Sequence, residues 1–169
     1  PFPFASKMDL TSQIPSLKKG KINYKDFAEL GVSDLFEEEK FSKAIRKTTK
    51  ILSSCVLIQE KTGFDLKRLP DFAQLSPVFS VLPKDIDQDG IEDFILGGNF
   101  YRLKSEMGRT DGFIGGYFKG KGKGQYEFIS SKESGLNFKG ETRSIKFINN
   151  KIIISRNDES LQVFKLNKE

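Results

Sequence analysis

Residues 85–93 read Asp85-Ile86-Asp87-Gln88-Asp89-Gly90-Ile91-Glu92-Asp93, and no other stretch restricts the folded chain so tightly. Carboxylates from Asp85, Asp87, Asp89 and Asp93 fall at positions 1, 3, 5 and 9 of a nine-residue loop, with Gly90 at position 6. A hard cation such as Ca²⁺ takes six to eight oxygen ligands, and a tightly turning loop presents alternate side chains to one point. Gly90 supplies the turn, because glycine alone adopts positive φ without steric cost. Ile91 then offers its backbone carbonyl. Without a cation these carboxylates repel one another, so the pattern calls for a metal. The alternative is an acidic turn without an ion, although an ordinary turn needs one or two Asp or Asn rather than four in register.

The flanks decide what such a loop can join. An EF-hand loop ends in a bidentate Glu at position 12 and lies between helices; position 12 here is Leu96. The preceding Val78-Phe79-Ser80-Val81-Leu82 and the following Phe94-Ile95-Leu96-Gly97-Gly98 are strand-like, being β-branched, aromatic and apolar. The loop is therefore expected to join two antiparallel strands.

Around it the chain changes character once. Residues 1–46 read as helix and loop. Helices are expected over Met8–Ile14, Tyr24–Leu30 with Gly31 as C-cap, and Glu38–Ala44, with Ser33 capping a turn through Phe36. Residues 47–169 read as β. Strands are expected at Thr48–Leu52, Cys55–Gln59, Phe64–Leu69, Val78–Leu82, Phe94–Gly97, Gly112–Phe118, Tyr126–Ser130, Ser144–Ile148, Ile152–Ser155 and Leu161–Leu166. Lys61-Thr62-Gly63, Asn149-Asn150 and Asn157–Ser160 supply hairpin turns. About ten short strands at this spacing predict a mainly β, antiparallel sandwich, barrel or propeller.

Composition removes several chemistries. With 169 residues, 37% hydrophobic and 30% charged, the chain can build a core, to which its 16 Phe contribute heavily. No apolar run approaches the ~20 residues that span a bilayer. The start at Pro1-Phe2-Pro3-Phe4 looks like a piece excised from something longer. The single Cys55 excludes an internal disulfide and reads as a small hydrophobe in a strand. Histidine is absent, which removes the commonest general base, the His-activated nucleophiles and most zinc sites. The net charge of +5 is scattered, apart from Lys18-Lys19-Gly20-Lys21 and the Lys119–Lys123 run. Neither cluster carries a nucleic-acid motif, so a solvated basic surface is expected. Gly120, Gly122 and Gly124 open onto an alternating strand rather than a helix, so they read as an exposed hairpin loop and not a phosphate cradle.

With the acidic loop placed between strands, the chain resembles the FG-GAP/VCBS repeat family. Blades of that family carry D-x-D-x-D-G-x-x-D before an apolar strand, here Asp85, Asp87, Asp89, Gly90 and Asp93 before Phe94-Ile95-Leu96. The same loops occur in the propellers of integrin α subunits. It also resembles the C-terminal segment of FG-GAP/ASPIC-UnbV repeat proteins, secreted or envelope-associated proteins of Bacteroidetes-like bacteria. The stretches that carry this likeness are Pro1–Phe4, Ser12–Pro15, Tyr24–Ala28, Gly98–Tyr101, Gly108–Asp111 and Glu133–Leu136. The resemblance implies about two and a half antiparallel β-propeller blades over 47–169. The helical 1–46 region would pack on them, or the missing blades would lie upstream in the parent. One complete calcium loop is present, and the Lys61–Phe64 turn has no acidic cluster.

The function implied is that of a non-catalytic, calcium-binding propeller segment of an extracellular or cell-envelope protein. Asp85, Asp87, Asp89, Asp93 and the Ile91 carbonyl would ligate Ca²⁺. Its partners would be the other blades of the parent chain and a glycan or surface protein, with no nucleic acid and no membrane-spanning segment. The loop from Tyr101 to Asp111 is the candidate contact surface, or else a structural connection with Arg109 and Asp111 bonded locally. The alternative is part of a polysaccharide-acting hydrolase or lyase with acid–base carboxylates drawn from Glu106, Asp111, Glu133 and Glu141, although no spacing singles out a pair.

Overall fold

The computed structural model describes residues 2–20, 23–105 and 107–166. Pro1, Lys21 and Glu106, which figure in the reading above, lie outside them. The chain divides into two compact units, Pro1–Lys50 and Ile51–Glu169.

The first unit is made of short helical pieces. Helix α1 (Lys7–Gln13) begins where the Ser6 hydroxyl oxygen accepts from the Asp9 N–H at 3.2 Å, and a 3-10 turn, Pro15–Gly20, follows it. Helix α2 (Tyr24–Glu29) begins where Asn23 Oδ1 accepts from the Asp26 N–H at 2.8 Å. Both are N-caps, which satisfy amides that a helix leaves unpaired. Gly31 is not a left-handed C-cap, since its φ is −76°. It opens a 3-10 turn, Val32–Leu35, and its N–H donates to Asp34 Oδ2 at 2.8 Å, so Asp34 rather than Ser33 secures this start. Helix α3 (Glu38–Ser42) closes the series, two residues shorter than expected. Among the described residues of this unit only Leu35 is buried.

The second unit is mainly β, with nine strands in three antiparallel sheets among its described residues. A hairpin of β1 (Cys55–Glu60) and β2 (Gly63–Arg68) forms the first. The second has four strands in sequential order: β3 (Val78–Lys84), β4 (Asp93–Gly98), β5 (Gly116–Gly120) and β6 (Tyr126–Ile129). The third is the meander β7 (Thr142–Ile148), β8 (Lys151–Arg156) and β9 (Glu159–Lys165), preceded by the short helix α4 (Ser131–Ser134). Asn149 and Asn150 both take positive φ, 48° and 61°, as a two-residue turn between β7 and β8 demands.

The four-stranded sheet is covered on both faces, because successive side chains of a strand point to opposite sides. On one face Ile95 and Tyr117 join Leu136, Phe138, Ile145, Ile152 and Ile154, so the third sheet closes that side. On the other, Leu96 and Phe118 join Leu69, Ala73 and Phe113, with Val56 of the hairpin packed against them. Phe113, Phe118 and Phe138 are among the largest fully buried side chains, but Phe2, Phe4, Phe64, Phe72 and Phe79 are exposed, so only part of the phenylalanine content goes into the core. Gln74 clamps the hairpin's base: its Oε1 accepts from the Ser54 N–H at 2.8 Å, and its Nε2 donates to the carbonyls of Ser54 and Leu69.

Two strands differ from expectation. Thr48–Leu52 is irregular, with Leu52 fully on the surface, since no strand among the described residues pairs with it and β propensity is realised only by pairing. Strand β5 starts at Gly116 instead of Gly112. Gly115, at φ +73°, turns the chain beside the Phe138 ring, which a Cβ would meet at 2.3 Å.

The outer faces of the two flanking sheets carry exposed apolar side chains, beside Lys146, Lys151 and Lys165 on the third sheet. Leu57, Phe64 and Leu66 share the exposed side of the hairpin, and Ile148, Leu161 and Val163 share that of the third sheet. This predicts a contrast in urea unfolding. Phe118→Ala should cost about 3–5 kcal/mol through loss of buried area plus a cavity. Leu57→Ala, at an exposed position on the open face, should change stability by roughly 0.5 kcal/mol or less.

Candidate metal centre

The loop from Asp85 to Glu92 joins β3 to β4, and the antiparallel ladder ends at the pair Lys84–Asp93 directly beneath it. Within the loop the backbone wraps around its own carboxylates. The Asp89 N–H donates to Asp85 Oδ1 at 3.2 Å and to Asp87 Oδ1 at 3.3 Å. The Gly90 N–H donates to Asp85 Oδ2 at 3.0 Å, and the Ile91 N–H to Asp89 Oδ1 at 2.9 Å. These bonds need a left-handed residue at the bend, and Gly90 provides it with φ +87°.

The result is a cluster in which Asp85, Asp87 and Asp89 each bring a carboxylate oxygen within 4.8 Å of the others. Asp85 is half-buried; Asp87 and Asp89 are exposed at the rim. An all-oxygen donor set of this kind suits a hard cation and not a soft one. The Ile91 N–H, through its bond to Asp89, is the chief cause holding that carboxyl below its usual range, and the Lys119 ammonium adds to the effect.

Asp93, the fourth expected ligand, sits elsewhere. It is fully buried below the cluster, and both its oxygens already accept hydrogen bonds. Oδ2 takes the Ile86 N–H at 2.8 Å and the Tyr117 hydroxyl at 3.0 Å; Oδ1 takes the Gly120 N–H at 2.8 Å. Burial, and then this bond to Asp93, push the Tyr117 phenol far above its ordinary value. Asp93 thereby ties the loop's start, its own strand and β5 together.

Lys119 is the residue that sequence reasoning missed. It had been placed at the mouth of a flexible hairpin loop, but its ammonium hydrogen-bonds Asp87 Oδ2 and lies 3.2 Å from Asp89 Oδ2. The pairing Phe118–Phe94 sets β5 beside β4 and carries Lys119 toward the loop. The ammonium thus neutralises part of the negative charge that Asp87 and Asp89 bring together.

Of the carboxylates weighed for acid–base work, Glu133 and Glu141 are engaged in local structure, and Glu106 lies outside the described residues. Glu133 caps α4, with Oε2 accepting from the Ser130 hydroxyl at 2.7 Å; that bond is the main cause holding its carboxyl low. Glu141 is buried and accepts from the Tyr101 N–H at 2.8 Å, from Arg143 at 2.9 Å and from Asn157 at 3.3 Å; the Tyr101 bond chiefly keeps it ionised. The segment between Tyr101 and Asp111 is closed by a Phe100–Thr110 bridge, and the Arg109 guanidinium sits 5.3 Å from the Tyr101 ring centre.

Two outcomes follow for the Asp93 knot. Asp93→Asn puts an amide NH₂ against an N–H or O–H donor inside the protein, and urea unfolding should show a loss of about 1–3 kcal/mol. The raised Tyr117 phenol gives stability that is complete below the unfolded pKa of about 10 and lost as pH climbs toward the folded value. Unfolding free energy measured against pH should therefore fall above roughly pH 10, and the fall should be shallower in Tyr117→Phe. Lys119, Lys67 and Tyr126, shifted in the same direction, retain part of the slope.

Comparison with protein-family models, with curated proteins and with solved structures finds no match, so the reading of this centre stands on its own geometry.

Proposed function

We propose that this chain is a non-catalytic, calcium-binding β-propeller segment, about two and a half blades of the FG-GAP/VCBS type, from a secreted or envelope-associated bacterial protein. The observation that carries the calcium part is the convergence of Asp85, Asp87 and Asp89 in a connection between two paired strands. Calcium in that loop fixes the turn between β3 and β4 and relieves the repulsion among the three carboxylates. Affinities of extracellular calcium modules fall at about 10⁻⁴–10⁻³ M, which suits a structural ion in a calcium-rich medium.

The propeller part is supported by layering. Blades of a propeller are four-stranded sheets packed face to face around an axis. Here a four-stranded antiparallel sheet in sequential order is covered on one face by the third sheet and, over β4 and β5, on the other by Leu69, Ala73 and Phe113 with Val56 of the hairpin. The outermost faces keep Leu57, Phe64 and Leu66 at one end and Ile148, Leu161 and Val163 at the other in solvent. Apolar faces of this kind are interaction surfaces, and further blades of the parent chain are the partners that would cover them. A glycan or surface protein would then meet the loops at the blade ends. Among the described residues no helix is long and apolar enough to cross a membrane.

The test is thermal unfolding with millimolar Ca²⁺ and with EGTA, for wild type and Asp87→Ala. A ligand that binds only the folded state adds about 2.7 kcal/mol at 100 times its Kd. Wild type should melt higher with Ca²⁺, and Asp87→Ala should lose most of that rise. An identical melting temperature of the wild type in both conditions would remove the calcium reading.

A further inference from the structure

We propose that Lys119 is the built-in cation of the acidic loop, and that its ammonium competes with an external divalent cation for the same oxygens. This rests on the calcium reading above and adds a residue that sets how strongly the loop responds to the ion.

The argument starts from which oxygens are taken. The loop's own amides occupy Asp85 Oδ1, Asp85 Oδ2, Asp87 Oδ1 and Asp89 Oδ1. Asp87 Oδ2 and Asp89 Oδ2 receive none of them, and those are the two oxygens on which the Lys119 ammonium sits. An entering cation would contest these two atoms with the ammonium, since they are the oxygens of the three carboxylates that no loop amide occupies.

Lys119 is also delivered there by the fold rather than by chance contact of a long surface side chain. On either side of Phe118-Lys119 the strand is bound to the buried Asp93, by Tyr117 through its hydroxyl and by Gly120 through its backbone N–H. The backbone of Lys119 is thereby pinned beneath the loop, with only the stem free to move. A lysine head is a compact charge on a flexible four-carbon stem. Its side chain keeps 29% of its surface in solvent, so it can leave the seat without the strand moving. When it leaves, the divalent ion takes its oxygens and the ammonium is hydrated.

Two consequences distinguish this arrangement from a plain calcium loop. Without metal the loop remains partly neutralised and the chain stays folded. With metal, the measured affinity is what remains after Lys119 has been displaced. Lys121 gives an internal control of the same charge nearby, because its ammonium pairs with Glu127 at 2.6 Å instead of with the loop.

The experiment is calorimetric titration of CaCl₂ into wild type, Lys119→Met and Lys121→Met, with urea unfolding of each in EGTA. Lys119→Met should bind Ca²⁺ about tenfold tighter or more, a change well above the twofold or so that loss of a more distant surface charge brings through screened solvent. In EGTA it should be less stable than wild type, and in Ca²⁺ it should recover. Calcium binding by Lys119→Met alone, with none by wild type, would uphold the competition and show that the native loop runs on its lysine, against the calcium reading. Binding by wild type with equal affinity in Lys119→Met and Lys121→Met would overturn the competition while leaving the calcium reading intact. No binding by any of the three would overturn both.

Discussion

A carboxylate buried without a cationic partner, Asp93, determines how the acidic loop meets the sheet. Taking an ion out of water is costly, and three converging donors are what make its position tolerable. They come from the two ends of the structure that have to meet. The Ile86 N–H belongs to the loop's first turn, while the Tyr117 hydroxyl and the Gly120 N–H belong to β5. Satisfying Asp93 therefore fixes the loop's entry and the register of β5 in one step. The seat of Lys119 follows from that, as does the closeness of Asp85, Asp87 and Asp89 above it.

What was legible in the sequence was local. Alternating Asp residues with Gly90 announce a tight oxygen-rich loop, and apolar runs on either side announce strands; the structure pairs those strands antiparallel around the loop. The hairpin turns at Asn149-Asn150, where both residues take left-handed φ, and at Lys61–Gly63, where the spacing between strands is short, are equally legible. Asp93 was legible as part of the motif but not in its inward role, which depends on β5, a strand that arrives more than twenty residues later. Lys119 was invisible for the same reason: nothing near it in sequence marks it, and only the Phe118–Phe94 pairing brings it to Asp87 and Asp89. Thr48–Leu52 shows the opposite failure. Its composition favours a strand, but without a neighbouring strand the propensity has nothing to act on.

The sheet arrangement bears on what such a unit is for. Burial on both faces makes the four-stranded sheet the rigid middle of the β unit, with Ile95 and Leu96, adjacent in sequence, serving opposite cores. The flanking sheets have only their inner faces covered, and their outer faces expose apolar side chains, with Lys146, Lys151 and Lys165 among them on the third sheet. The acidic loop lies at the connection between the first two strands of that four-stranded sheet, where the amides of Asp89, Gly90 and Ile91 and the Lys119 ammonium hold the turn closed.

The most direct measurement of the account is a crystal structure of the chain grown with millimolar Ca²⁺ and compared with one grown in EGTA. The account predicts an ion coordinated by Asp85, Asp87 and Asp89 at about 2.3–2.6 Å, with Asp93 unchanged beneath it and the Lys119 head swung out to solvent. Density without an ion, with Lys119 still seated on Asp87 and Asp89 in both crystals, would contradict it.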